Sequence, residues 1–139
     1  MADMSFTAAE IKPLVFNGAV LRRYLAGGTI TVGHLVYVAS DGDVERADGN
    51  VSAAVAEAIG VAVESYDGET TINSGDPVSV CVFGPISGFA SMTAGTILWV
   101  SDTIGRIADA AGTFDRVVGY AETAGIVFVN PDINVPSSA

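Results

Sequence analysis

Apolar and polar residues alternate with a period of two along most of the chain after Pro13. Ile30 and Val32, for example, alternate with Thr29 and Thr31. Side chains two residues apart share one face of a β-strand, so this pattern predicts strands and not helices. The predicted strands are 29–32, 35–39, 44–47, 59–64, 78–83, 86–90, 97–100, 106–108, 117–121 and 126–129.

Turn residues separate these segments, and few stretches favour a helix. Asp41-Gly42 is a turn signal between two predicted strands, and Pro131 ends the last strand because proline cannot donate a ladder hydrogen bond. Residues 7–10 match a helix capping box, but the proline at position 13 stops that helix early. Residues 52–58 are rich in alanine and favour one or two helical turns. We therefore expect at most one or two short helices.

The chain contains an internal repeat of strand segments. The aligned segments are 33–38 with 95–100, 47–48 with 108–109, and 59–62 with 118–121, the first pair displaced by 62 positions. We predict two related β-units, at about 26–66 and 92–130, because two such units can cover each other's apolar faces in one small barrel or sandwich. A chance resemblance between strands rich in valine and glycine is the alternative interpretation.

The predicted organisation is one β domain between two loose ends. Residues 1–12 lack the alternating pattern, and we expect them to form an arm that stays flexible until a partner binds it. The domain is expected over 13–134, and residues 135–139 are expected to form a loose tail. The predicted fold class is mainly β: a small β-barrel or sandwich of two similar units with a flexible N-terminal arm.

The charge balance excludes two classes of partner. The 139 residues include six Lys and Arg against 16 Asp and Glu, which gives a net charge of −10. A nucleic-acid-binding protein needs a basic surface, so we expect no nucleic acid partner. The same shortage argues against an anionic membrane surface, and no apolar stretch reaches the ~18 residues of a membrane helix. No signal-peptide pattern opens the chain, so we expect synthesis in a cytosol-like compartment.

The sequence offers no recognisable catalytic, cofactor-binding or metal-binding motif. A phosphate-binding loop, a dinucleotide-binding glycine pattern and a serine nucleophile elbow are all missing. His34 and Cys81 are the only residues of their kinds, which is too few for a zinc site. Asp41, Asp43 and Glu45 are spaced like calcium ligands, but the glycine and the closing glutamate of that loop are absent. We expect no catalytic residue, no cofactor and no metal.

Arg22, Arg23 and Tyr24 form the one local basic cluster. Arginine and tyrosine are enriched at protein interfaces, so this cluster is a candidate partner contact. Two solvated arginines at the end of a strand are an equally simple interpretation.

Two stretches resemble the capsid decoration proteins, or cement proteins, of tailed bacteriophages. The first is TVGHLVYVASDG at residues 31–42. The second is AIGVAV at residues 58–63, followed by an acidic turn and by PVSVCVFGPISG at residues 77–88. The resemblance covers roughly residues 26–130. The chain looks like the lambda-type members but is longer at its C-terminal end, where the second unit lies.

The resemblance implies a β-tulip-like protein that forms a homotrimer on the outer surface of the virion. Such proteins are made in the host cytoplasm, bind the outside of the expanded head, and bridge major capsid protein subunits against internal DNA pressure. Their N-terminal arm often becomes ordered on the capsid. In this chain Phe6, Ile11 and Leu14 would then be the apolar anchors of an arm that docks by strand addition.

Two other classes of function stay open. The chain would be a fibre or spike module if it binds a host surface or a glycan, since similar modules occur in those virion proteins. It would be a hydrolase if His34 or Cys81 takes part in catalysis. The second of these classes is disfavoured because neither residue lies in a motif that activates it.

Overall fold

The computed structural model describes residues 2–131 and shows a mainly β protein, as predicted. These residues contain two 3₁₀ helices, Ala8–Glu10 and Val15–Asn17, and none of them forms a helix long and apolar enough to cross a membrane. The expected domain end at 134 and the expected tail at 135–139 lie outside the described residues. The strands are β1 (Ser5–Phe6), β2 (Lys12–Pro13), β3 (Val20–Leu25), β4 (Ile30–Thr31), β5 (Leu35–Val38), β6 (Val44–Arg46), β7 (Gly60–Ser65), β8 (Thr71–Ile72), β9 (Pro77–Ser87), β10 (Phe89–Ala90), β11 (Ile97–Val100), β12 (Ile107–Ala108), β13 (Val117–Ala121) and β14 (Ile126–Val129).

Most strands belong to one curled antiparallel sheet. Its main path runs β12-β11-β13-β14-β9-β7-β5-β6, and β2 and β3 pair with β9 off this path. Two small sheets, β1 with β10 and β4 with β8, complete the fold. The main sheet curls into a half-barrel, which is consistent with the predicted small β-barrel or sandwich.

The central strand, β9, is paired on both edges. Its first part lies between β3 and β7, and its last part lies between β2 and β14. Gly84 lies where the partners change and has a φ of +110°. A Cβ at this position would lie 2.6 Å from Cα of Ala19. Glycine is therefore needed where β9 turns from one set of partners to the next.

The two repeated units pair their strands in the same register. The equivalent pairs are Leu35 with Val61 and Val36 with Gly60 in the first unit, and Ile97 with Tyr120 and Leu98 with Gly119 in the second. The number of positions that separates β5 from β11, and β7 from β13, is the same as in the aligned segments of the sequence repeat. In the third strand the sequence alignment differs from the structure. Tyr37 pairs with Glu45 as Trp99 pairs with Ala108, because the connection before β12 is one residue longer than the connection before β6.

Much of the core is formed by small and branched aliphatic side chains on one face of the curled sheet. Residues of this face are fully buried in both units, and the valines suit it because their stiff, branched side chains pack on a pleated surface. The matched residues are Val36 and Ala62 in the first unit, with Val80 on the adjoining β9, and Leu98, Ala121 and Val127 in the second.

The N-terminal residues lie on the barrel and do not form the loose arm expected for 1–12. We call residues 2–13 the N-terminal strap. Met4 donates its N–H to the carbonyl oxygen of Ile107 at 2.8 Å, and Thr7 donates to the carbonyl oxygen of Gly88 at 3.1 Å. Met4 and Ile11 are buried. The strap is held because β9, β10 and β12 offer backbone partners and apolar contacts that an unpaired segment would otherwise lack.

The two short helices expected from sequence take other forms. At residues 7–10 the capping box is not formed: Thr7 makes no side-chain cap bond, and Glu10 donates its N–H to the carbonyl oxygen of Thr7 in a 3₁₀ turn. Residues 52–58 form turns, in which Val55 donates its N–H to Oγ of Ser52 at 3.2 Å. Both segments are too short to offset the cost of starting an α-helix.

Replacing Gly60 by alanine tests the observed strand pairing. A Cβ at Gly60 would overlap the carbonyl oxygen of Cys81 on the neighbouring strand. Gly60→Ala should lower the free energy of unfolding by about 1–3 kcal/mol, the usual cost of overpacking, in urea denaturation. Gly28→Ala is the control, because its Cβ would meet only the Glu45 carboxylate at 4.0 Å. Equal stabilities of the two variants would contradict the pairing.

Candidate functional site

Five apolar side chains form a continuous line across the outside of β3, β9 and the second unit. We call them the apolar row: Val20, Phe83, Phe128, Tyr120 and Ile97, from β3, β9, β14, β13 and β11. Val20 pairs with Phe83, Phe128 with Tyr120, and Tyr120 with Ile97. The Phe83 ring meets the Phe128 ring edge-on at 5.2 Å, and the Tyr120 ring stacks on Phe128 at 5.1 Å. These aromatic contacts fix the row as one surface.

Two residues of the apolar row are exposed at positions where the first unit has buried residues. Ile97 is 49% exposed and Tyr120 is 38% exposed. Their equivalents in the first unit, Leu35 and Val61, are fully buried. The first unit therefore buries this face, whereas among residues 2–131 the equivalent side chains of the second unit stay partly exposed.

A short turn adds a fully exposed aromatic side chain near β9. Phe16 has no shielding from solvent, and Val15 is 58% exposed. The turn ends at Gly18, whose φ of +97° needs glycine, and it is held to β9 by the N–H of Leu14, which donates to the carbonyl oxygen of Pro85 at 2.9 Å. Burying a phenylalanine contributes roughly 1.5–3 kcal/mol, so Phe16 would stabilise any contact that covers it.

The basic cluster predicted as a partner contact lies on β3. Arg22 and Arg23 are exposed, and Tyr24 is half-buried with the Arg22 guanidinium 6.0 Å from its ring centre. Arg22 and Tyr24 also line a groove of about 270 Å³, together with Asn130 and Pro131 after the last strand. The cluster is thus accessible, and its role as a partner contact stays a prediction.

The three residues expected to anchor a docking arm contact the chain's own barrel. Phe6 packs against Phe89 at 5.8 Å and lies under the Arg106 guanidinium at 5.0 Å. Ile11 is buried, and Leu14 is half-buried. Phe6 and Ile11 therefore stabilise the fold from inside and are not free to enter a partner, because the strap already occupies the barrel edge.

Cys81 and His34 lie in surroundings that suit structural roles. Burial raises the pKa of the Cys81 thiol, which donates a hydrogen bond to the carbonyl oxygen of Phe83 at 3.4 Å. Burial, and then the charges of Arg46 and Arg106, lower the pKa of His34 to about 4. The neutral ring accepts a hydrogen bond at Nδ1 from the N–H of Thr31 at 3.3 Å. The thiol and the imidazole are therefore both uncharged at neutral pH. A cysteine acts as a nucleophile only as its thiolate, so Cys81 is not prepared to react.

The acidic turn that resembled a calcium loop is a hairpin. The N–H of Asp43 donates to the carboxylate of Asp41 at 3.0 Å, which is the usual hydrogen bond of such turns. Over the part of the chain that the structure describes, no group of three or more His, Cys, Asp or Glu side chains could hold a metal ion.

The apolar row and Phe16 are not predicted from the sequence. Alternation places Ile97, Tyr120 and Phe128 on strands, but it does not say which face of a strand is left uncovered. Phe16 precedes the Asn17-Gly18 turn, and an aromatic residue in a tight turn is a signal that could have identified it.

Comparisons with known proteins do not assign the chain to a family. No protein-family model matches it, and a search of curated protein sequences finds no significant match. The function is therefore inferred from the surface residues of the chain together with the sequence resemblance of residues 26–130.

The free energy of unfolding should depend on pH because the His34 ring is buried in its neutral form. The pKa of His34 is about 4 in the folded chain and 6.5 ordinarily, so between these values the unfolded chain binds a proton that the folded chain does not. This group therefore lowers the free energy of unfolding as pH falls from 6.5 to 4. Urea denaturation of the wild type and His34→Gln at pH 7 and pH 5 should show a smaller loss for the variant. Equal losses would contradict the burial of this ring.

Proposed function

We propose that the chain is a capsid decoration protein of a tailed bacteriophage. It binds the outside of the expanded head, bridges major capsid protein subunits, and stabilises the shell against internal DNA pressure. The observation that carries this proposal is the exposed apolar row, which the second unit leaves uncovered although the first unit buries the same positions. The sequence resemblance of residues 26–130 gives the class of partner.

The apolar row suits a protein partner. Aromatic residues are enriched at the cores of protein interfaces, and charged residues are depleted there. The row and Phe16 offer aromatic surface, whereas the net charge of −10 resists binding to nucleic acid or to an anionic membrane. A contact smaller than a standard interface of ~800 Å² per partner still holds when many copies act together on one lattice.

The structure changes which part of the chain is proposed to dock. The strap contributes buried residues to the core, so its removal would remove part of the fold and would not isolate a docking arm. We therefore assign docking to the apolar row and a structural role to the strap. The protein acts as a homotrimer on the outer surface of the virion and is made in the host cytoplasm.

The proposed function involves no catalysis. The Cys81 thiol is fully buried, and the pKa of His34 keeps its ring neutral, so neither group is prepared for nucleophilic or acid–base chemistry at neutral pH. Reinforcement of a shell needs none of this chemistry.

A fibre or spike module that binds a host surface or glycan is the second candidate. The groove beside Arg22, Tyr24 and Asn130 favours it, because an aromatic ring next to hydrogen-bonding groups is a common environment for a small polar ligand. Antibody labelling of virions separates the two candidates. Labelling of the tail or of a fibre tip would support the second, and labelling over the head would support decoration.

Polar substitutions in the apolar row test the proposed function. The double variant Ile97→Ser, Tyr120→Ser removes two exposed side chains of the row and should weaken binding to expanded, undecorated heads at least about tenfold. Co-sedimentation with the heads measures this.

The matched control replaces two exposed valines outside the row. Val38 and Val51 are 42% and 61% exposed, and Val38→Ser, Val51→Ser should leave binding unchanged. Failure of the wild type to bind heads would overturn the proposed function. Equal binding by the row variant would overturn the assigned surface.

A further inference from the structure

Exposed positive charge is confined to one part of the chain. Residues 11–40 contain Lys12, Arg22 and Arg23 and no acidic residue, although the whole chain has 16 acidic residues. These three side chains are exposed, and the other three arginines are half-buried or buried. Arg22 and Arg23 on β3 therefore form a small cationic surface, whereas Lys12 lies beside Glu64 and Glu69 in a different groove.

Two of these cations lie on an exposed edge strand. Among the described strands β3 pairs with β9 alone, and five of its six residues are exposed. Leu21 and Leu25 are 37% and 48% exposed and flank Arg23 on one face of the strand, whereas Arg22 lies on the other face. An exposed edge with apolar residues is a template for another chain, and the arginines select an acidic one.

The same chain carries a surface of the opposite charge. Glu64, Asp67 and Glu69 lie at the end of β7 and in the loop that follows it, and all three are exposed. Tyr66, between them, is 62% exposed. We call these four residues the acidic loop. Hydrogen bonds from the N–H of Glu69 and the hydroxyl of Ser65 lower the pKa of Asp67, so this carboxylate stays ionised. Carboxylates pair with arginines, and an exposed tyrosine ring also attracts a guanidinium.

We propose that β3 of one copy of this chain docks against the acidic loop of a second copy. This inference rests on the proposed function, in which copies of the chain act together, and it names the surfaces by which they meet. Arg22 and Arg23 pair with Glu64 and Glu69 of the neighbour. The exposed leucines of β3 and Tyr66 of the neighbour are covered in the same contact.

Charge selects this partner surface over the symmetric pairing of two β3 strands. An antiparallel pair of β3 strands about a two-fold axis would place Arg22 opposite Arg23, and like charges directly opposite each other are destabilising. Two copies of net charge −10 also repel at long range, so a contact between them has to match opposite charges locally. The contact depends on exposed charge pairs, so the association is weak, sensitive to salt, and strengthened on a lattice.

A charge swap tests the inference by sedimentation velocity of the full chain at low salt. Arg22→Glu, Arg23→Glu should weaken self-association at least about tenfold, and Glu64→Lys, Glu69→Lys should do the same. The chain that carries all four substitutions should regain association within about threefold of the wild type, because the pairs are restored with reversed sign. A mixture of the two double variants should also associate, because β3 of each variant then meets a loop of opposite charge on the other.

The matched control has the same change in net charge at other exposed carboxylates. Asp115→Lys, Glu122→Lys should not weaken association. A wild-type chain that stays monomeric at all concentrations, a swapped chain that does not regain association, or a control that weakens it equally would overturn the inference. Binding of wild type to heads, measured separately, decides the proposed function. Heads that bind a monomeric wild type would leave that function intact and reject only this contact.

Discussion

The backbone groups of β9 have to be paired on both edges, and much of the fold follows from that constraint. An unpaired buried N–H or carbonyl group costs about as much as a lost hydrogen bond, and β9 runs through 11 residues at the centre of the sheet. β3 and β7 pair with its first part, and β2 and β14 pair with its last part. The strap is therefore part of the sheet, because β2 supplies one of these partners.

β9 also joins the two repeated units. These units pair their strands in the same register, but the outer face of the sheet is buried in the first unit and exposed in the second. β7 and β14 lie beside β9, and they lead to β5 and β6 on one side and to β13, β11 and β12 on the other. The core face is buried in both units, so both units contribute buried apolar side chains to the stability of the fold. The opposite face is buried around Leu35 and Val61 and exposed around Ile97 and Tyr120. The two repeated units thus form a stable scaffold, and the exposed outer face of the second unit is the surface that we assign to binding.

The alternation of residues predicted the fold class and most strands, because that pattern follows directly from strand geometry. It did not predict the docked strap, since Met4 and Ile11 are buried by strands that are distant in sequence. The basic cluster could be identified from sequence because its arginines are neighbours. The apolar row could not, because Phe83, Tyr120 and Ile97 come together only through sheet order.

The most direct test of the central claim is a cryo-electron microscopy map of expanded, undecorated heads after incubation with the purified chain. The account predicts added density on the outer surface of the shell, with β11, β13 and β14 turned so that Tyr120 and Phe128 contact the capsid subunits. Heads without added density would contradict the account. So would bound molecules whose apolar row faces solvent.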